Sequence, residues 1–230
     1  MERELWLAVL KAQRDLGVEV PDGVVEAYER VVDQVDLESI AARERVTRHD
    51  VKARIEEFVA LAGDGASADD SIRQSTTGEP IRESSDGHGT GDSSGSGEPP
   101  PPDPSLEHIH KGMTSRDLTE NVEQLQIRQS LELVRDRIVA ALAKLAARAS
   151  EYAILVIAGR SHNVPAQATT LGKRFATTAE ELLAAYHRIE SLLDRYAMRG
   201  IKGPVGTAAD QLDLLGSPEK LAELESRVAG

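Results

Sequence analysis

Gly159-Arg160-Ser161-His162-Asn163-Val164-Pro165-Ala166-Gln167-Ala168-Thr169-Thr170-Leu171-Gly172 separates two long segments that read as helices. The segment before it, from Met113 to Ala158, holds neither Gly nor Pro. Leu118, Val122, Leu125, Val134, Ile138, Leu142, Leu145 and Ala149 recur in it at mixed spacings of three and four. That spacing predicts one long helix with a single apolar stripe. The segment after it carries Phe175, Leu182, Tyr186, Ile189, Leu193 and Tyr196 and ends at Gly200. Connections between neighbouring helices of a bundle are ordinarily short and bland. This one is long and dense in hydrogen-bonding side chains, and a second polar cluster, His108 to Asp117, opens the first helix. The expected fold is therefore all-α, a bundle of long helices with chemistry carried at helix ends.

Composition narrows the function classes. The chain has 230 residues and 24.8 kDa, enough for one or two domains with a core. Aromatics make up only 3%, so Leu, Val, Ile and Ala must do most of the packing. A formal net charge of −12 argues against a nucleic-acid partner. With no Cys, disulfides and thiolate metal sites are excluded. No apolar run approaches the ~20 residues that span a bilayer, and the N-terminus lacks a secretory pattern. A soluble, cytoplasmic protein without membrane contact is expected.

Short amphipathic segments precede the long ones. Glu4 to Leu16, Val24 to Val35 and Asp36 to Arg45 read as helices, and Thr47 or Asp50 is placed to cap a fourth that carries Ile55, Phe58, Val59 and Leu61. Residues 1–62 form an N-terminal helical region, and residues 107–230 the central long-helix region. Between them, 63–106 has a different composition: of these 44 residues 23 are Gly, Ser or Pro, nine are acidic and two basic. Such a segment cannot bury enough apolar surface to offset its ordering entropy, so it reads as a disordered insertion within one domain. His88 inside it carries no visible chemistry.

The polar clusters admit structural and chemical readings side by side. His162 lies in a polar stretch after a helix end, where it can act as a general acid or base, or simply bond to backbone carbonyls. His49, His108 and His110 lack a carboxylate at helical spacing, which argues against a metal site. Thr114 or Ser115 is placed to cap the long helix, with Asp117 in its first turn; the same helix start can also hold an anion. Lys202 to Thr207 is a Gly-rich turn without the strand or the Gly-Lys-Ser/Thr ending of a phosphate loop.

Taken in order, these elements resemble the adenylosuccinate lyases of the fumarase/aspartase superfamily. They are Thr47-Arg48-His49-Asp50-Val51, His110-Lys111-Gly112-Met113-Thr114-Ser115-Arg116-Asp117, Gly159-Arg160-Ser161-His162 with Ala166 to Gly172, and Lys202 to Thr207. The resemblance covers nearly everything outside residues 64–106. It implies a homotetramer built around long helices, and elimination of fumarate from adenylosuccinate and from the succinylated carboxamide ribotide of purine synthesis, with no cofactor and no metal. It also implies site residues: His162 as general acid with Ser161 beside it, Arg48, His49 and Asp50 contacting substrate, His110 near a phosphate, and Thr114 and Ser115 stabilising the carbanion. The family's Ser-bearing loop, which supplies the base, and its early Arg-Tyr pair have no counterpart in this sequence. The resemblance is therefore to the N-terminal and central part of such an enzyme, truncated at the C-terminus, and the isolated chain is expected to show little lyase activity. A non-catalytic helical remnant or assembly subunit of the same fold is the alternative.

Overall fold

A computed structural model describes residues 1–75 and 106–229, with the side chains of 64–75 and 229 outside the description. Beyond Ser75 the Gly/Ser/Pro-rich insertion lies outside the described residues, and His88 with it. The elements are α1 Glu2–Asp15, α2 Val24–Val31, α3 Leu37–Thr47, α4 Asp50–Ser75, α5 Ser115–Glu151, β1 Val156–Ser161, β2 Val164–Thr170, α6 Leu171–Asp194, α7 Ala209–Leu215 and α8 Pro218–Ala229. The fold is mostly helical, as expected. By contact it divides into two units, Met1–Val122 with Arg199–Gly230, and Glu123–Met198.

The first unit has a conventional core. Trp6, Leu10, Tyr28, Phe58, Ile109 and Leu118 are all buried. Tyr28 stacks obliquely on Phe58 with ring centroids 4.7 Å apart, and its hydroxyl donates to the Leu106 carbonyl. Arg3 and Glu57 form a buried ion pair, with Arg3 lying 4.5 Å over the Phe58 ring. The second oxygen of Glu57 accepts the backbone N–H of Asp36 at 2.8 Å, while the Asp36 side chain caps α3 by accepting from Glu38 and Ser39. α8 closes this unit by packing Leu224 against Ala12 of α1.

The second unit is an antiparallel helix pair with a β-hairpin at its end. Arg128 donates to the Leu193 carbonyl, Arg135 lies 3.9 Å from Glu190, and Tyr152 stacks on Phe175. These pairs run in opposite directions along α5 and α6. Gly172 sets the closest approach. A Cβ there would lie 2.4 Å from the Ala149 carbonyl oxygen and 2.8 Å from the Ala153 Cα, so no other residue fits without moving backbone.

Two expectations need correction here. The stretch that organises the chain is a β-hairpin, with Val156 paired to Thr170 and Ser161 to Val164, rather than a polar loop. Its strand ends are β-branched, which favours pairing. His162 and Asn163 form the two-residue turn at φ of 50° and 64°, the left-handed pair of a type I′ turn that Asn tolerates. The register shifts between Gly159 and Arg160, where Ala166 of β2 is skipped, a bulge beside Pro165 that accommodates a residue without an N–H. The second correction is that α5 does not carry one stripe. At about 100° per residue, Leu118, Val122 and Leu125 lie on nearly the opposite side of the helix from Ile127, Leu131, Val134, Ile138, Leu142 and Leu145. The break coincides with the boundary between the units at Val122. One helix serves two different environments.

Candidate functional site

The candidate site in the first unit forms where α4 and α5 begin. His49 itself caps α4: its carbonyl accepts from Ala53 at 3.0 Å and its Nδ1 accepts the Lys52 N–H at 3.2 Å. Thr47 and Asp50, the expected caps, take other roles. Thr47 Oγ1 accepts the His49 N–H at 3.3 Å, and Asp50 pairs with Arg54 at 3.1 Å. An imidazole whose Nδ1 accepts a backbone N–H carries its proton on Nε2. That Nε2 lies 3.4 Å from Ser115 Oγ. Asp50 Oδ1 is 3.7 Å from the same Nδ1, a charge pair that would require Nδ1 to be protonated. The Lys52 N–H already occupies that lone pair, so the backbone bond defines the ring. Although burial acts to raise it, the Val51 N–H, Arg54 and His49 together hold the Asp50 carboxyl below its ordinary value. Arg48, just before, ends α3 in the left-handed conformation at φ 52° and is exposed.

The start of α5 is fixed by Asp117, which is fully buried. Its Oδ2 accepts the Thr114 N–H at 2.9 Å, the reach-back half of a capping box. Its Oδ1 accepts the Lys202 N–H at 3.0 Å and the Gly203 N–H at 3.1 Å, and Arg199 lies 3.0 Å away. One turn on, Asn121 exchanges two hydrogen bonds with the backbone of Gly200. The turn that the sequence leaves unremarkable is thus stitched to the helix that presents Thr114 and Ser115.

The loop before α5 is held with equal care. The Lys111 carbonyl accepts from the side chains of Gln13 and Gln211, each at 2.9 Å. Gly112 sits at φ 66°, and a Cβ on it would meet the Gln211 amide at 2.8 Å, so the tight passage requires glycine. His110 is left-handed at φ 65°, uncommon outside glycine, and accepts the Trp6 indole N–H on Nδ1 at 2.9 Å. Burial above all pushes its pKa down to about 4, against the pull of the Asp117 carboxylate and with a smaller contribution from His49.

Arg48, His49, Asp50, His110, Thr114 and Ser115 therefore all belong to the first unit, and two of them, His49 and Ser115, touch across 66 residues of sequence. Ser161 and His162 belong to the second unit. They stand exposed at the tip of the hairpin, where Arg160 donates to the Asn163 carbonyl at 2.8 Å. Among the described residues, no three His, Asp or Glu side chains cluster closely enough to hold a metal ion. No helix among the described residues is long and apolar enough to cross a membrane. Asn121, Arg199 and Trp6, which hold Gly200, Asp117 and His110, are supports of these loops that sequence reasoning missed. Asn121 sits one turn after Asp117, beside Leu118 and Leu125, a local signal; nothing local points from Trp6 to His110.

A family model described as lyase matches residues 2–213. Over 230 residues the chain is 30% identical to the adenylosuccinate lyase of Saccharomyces cerevisiae, covering 98% of this chain and 39% of that protein. It is 27% identical over 223 residues to the adenylosuccinate lyase of Methanocaldococcus jannaschii, covering 96% and 38%. Among solved structures it superimposes on a fumarate lyase from Mesorhizobium sp. BNC1 with a TM-score of 0.70 at 20% identity, covering 99% of this chain and 43% of that one. The β-carboxy-cis,cis-muconate cycloisomerase of Acinetobacter calcoaceticus gives a TM-score of 0.70 at 19% identity, covering 99% and 44%. At that identity these structural likenesses speak for the fold alone. The chain spans about two fifths of the length of the curated relatives it matches.

Proposed function

This chain belongs to the lyase family, and from that premise we propose that its site serves reversible β-elimination of the adenylosuccinate lyase type. Fumarate leaves adenylosuccinate to give AMP, and leaves the succinylated carboxamide ribotide in the parallel step of purine synthesis. The observation that carries this reading is the meeting of His49 and Ser115 at the paired starts of α4 and α5. An elimination next to a carboxylate needs such a corner. As the carbon-bound proton departs, negative charge spreads into the neighbouring carboxylate. The start of α5, with the hydroxyls of Thr114 and Ser115, offers donors and the positive end of a helix dipole to that charge. Because Ser115 Oγ can accept from His49 Nε2–H, its own proton is free to turn toward the substrate.

The electron pair left by the proton forms the carbon–carbon double bond as the carbon–nitrogen bond breaks. The departing purine amine then takes a proton from His162, which becomes neutral, with Ser161 beside it on the hairpin. Arg48, Asp50 and His110 hold the polar ends of the substrate. None of these residues is assigned as the base. In this reading the protein works as a cytoplasmic homotetramer, without metal or organic cofactor.

Calorimetric titration of the chain with AMP and with adenylosuccinate tests the site directly. His49→Ala and Ser115→Ala are each expected to weaken binding of adenylosuccinate about tenfold, the worth of one charge-assisted hydrogen bond. Binding unaffected by both substitutions would overturn the assignment. Fumarate release by the isolated chain is expected to be slower than that of an ordinary enzyme by orders of magnitude, since no base is assigned. The alternative, a non-catalytic assembly subunit, draws on the exposed apolar residues of α5 and α6. It predicts assembly with no binding of either nucleotide.

A further inference from the structure

We infer that Trp6 is a positioning residue that holds the His110 imidazole in its Nε2–H tautomer, so that the ring meets a substrate oxygen as an uncharged hydrogen-bond donor. The substrate clause rests on the proposed function; the tautomer does not.

An indole N–H can only donate. It lies 2.9 Å from His110 Nδ1, so that nitrogen must present its lone pair, and a neutral ring must carry its proton on Nε2. The clamp is rigid at both ends. Trp6 is 1% exposed, stacks on Phe58 with centroids 6.1 Å apart, and meets the His110 ring edge-on at 5.9 Å and 82°. His110 is held by its own left-handed backbone and by the Lys111 carbonyl, which two glutamine side chains grip. A cationic ring would place a second N–H against the indole N–H, a donor facing a donor.

The charged groups that act on the ring are Asp117 and His49. The Asp117 carboxylate favours a cation, but its oxygens are already engaged by three backbone N–H groups and Arg199. His49 and the burial of the ring act the other way. A neutral donor suits reversible binding of an anionic group: it gives direction without the strong charge attraction that would hold product as firmly as substrate.

The test uses the full chain labelled with 15N-histidine. Two-bond proton–nitrogen correlation spectra between pH 7 and 8 read which nitrogen of each ring is protonated, and the spectrum of His110→Gln identifies the His110 signals among the six histidines. The expected pattern is a protonated Nε2 and a bare Nδ1; a protonated Nδ1 overturns the inference. Trp6 is the sole tryptophan, so growth on β-(3-benzothienyl)alanine replaces only its N–H, with sulfur, in nearly the same shape. That protein should lose the single-tautomer pattern and bind AMP about tenfold more weakly. Trp6→Phe should do the same, and 7-azatryptophan, which keeps the N–H, should restore both. An unchanged tautomer in the benzothienyl protein overturns the clamp. A shifted tautomer with unchanged AMP affinity overturns the positioning role. Absence of AMP binding in a wild-type chain that shows the Nε2–H pattern refutes the lyase reading and the substrate clause, while the clamp itself stands.

Discussion

A histidine whose Nδ1 is occupied by a protein donor has one way left to act, through Nε2, and both His49 and His110 are in that state. The donors differ: a backbone N–H of the helix His49 caps, and an indole from α1. For His110 the consequence reaches stability. Its folded proton affinity is lowered to about 4, while in the unfolded chain it lies near the ordinary 6.5. Between those values the unfolded state binds the proton and the folded state does not. Stability is therefore fully present above about pH 6.5 and is lost as pH falls toward 4. Thermal unfolding followed across that window should show a falling midpoint, and His110→Gln should flatten the slope. Asp117 belongs to the same scale. Asp117→Asn exchanges a carboxylate for a group with one acceptor oxygen and an NH₂ that faces backbone N–H donors, and it removes the buried one of the two carboxylates that Arg199 pairs with. A loss of about 2–3 kcal/mol in urea unfolding is expected, after allowance for the partial exposure of Arg199. Asp117 reads from the sequence as a first-turn acid because Thr114 is three residues away. Its bonds to Lys202 and Gly203 do not, because no periodicity links residues 85 apart.

Helices were the legible elements and the hairpin was not. Gly-free, Pro-free segments with apolar residues at spacings of three and four announce α5 and α6, and Thr170 caps α6 by accepting from Lys173. The first segment, however, reads as helix to Ala158, whereas α5 ends at Glu151 and Val156 to Ala158 belong to β1. The hairpin escapes because its signals sit apart: β-branched residues at the two ends, and a His-Asn turn rather than the stronger Asn-Gly. Its polar interior suggests a loop, and neither strand has a buried residue: β2 is exposed from Val164 to Ala168, so no apolar–polar alternation marks it as a half-buried strand. The hairpin is anchored to the helix pair at Gly172, whose N–H donates to the Tyr152 carbonyl at 2.9 Å. Gly172→Ala pushes a methyl group into backbone atoms of the facing helix end. A cost of about 1–3 kcal/mol is expected, read as earlier melting of α5 and α6 by hydrogen exchange, with the first unit's core unaffected. Equal protection in the variant would mean that the close approach is not the joint it is taken to be.

At the scale of the whole molecule the two units differ in how they are stabilised. The first buries a continuous set of aromatics and aliphatics. In the second, only Gly172 and Leu193 are buried, and a helix pair of this length cannot be held by so little. α6 covers the side of α5 that carries Arg128 and Arg135. The apolar stripe of α5 lies beside that contact, and its outer edge remains open: Ile127 is 48% and Val134 46% exposed. Apolar surface of this extent on a helix calls for further helices, and a second copy of the chain supplies the same stripe in complementary form. Self-repulsion does little to prevent this, since residues 63–106 hold −7 of the net −12 and leave −5 for the rest. The chain is accordingly expected to sediment as an oligomer at micromolar concentration. Val134→Lys puts a stronger helix former at the position but sets a charge on the open edge of the stripe. It should shift the species toward monomer by at least tenfold in dissociation constant, with the circular dichroism of the first unit's helices retained. A wild-type chain that stays monomeric at tens of micromolar, with α5 and α6 intact, would mean that the helix pair stands by itself, and the expectation of association would fail.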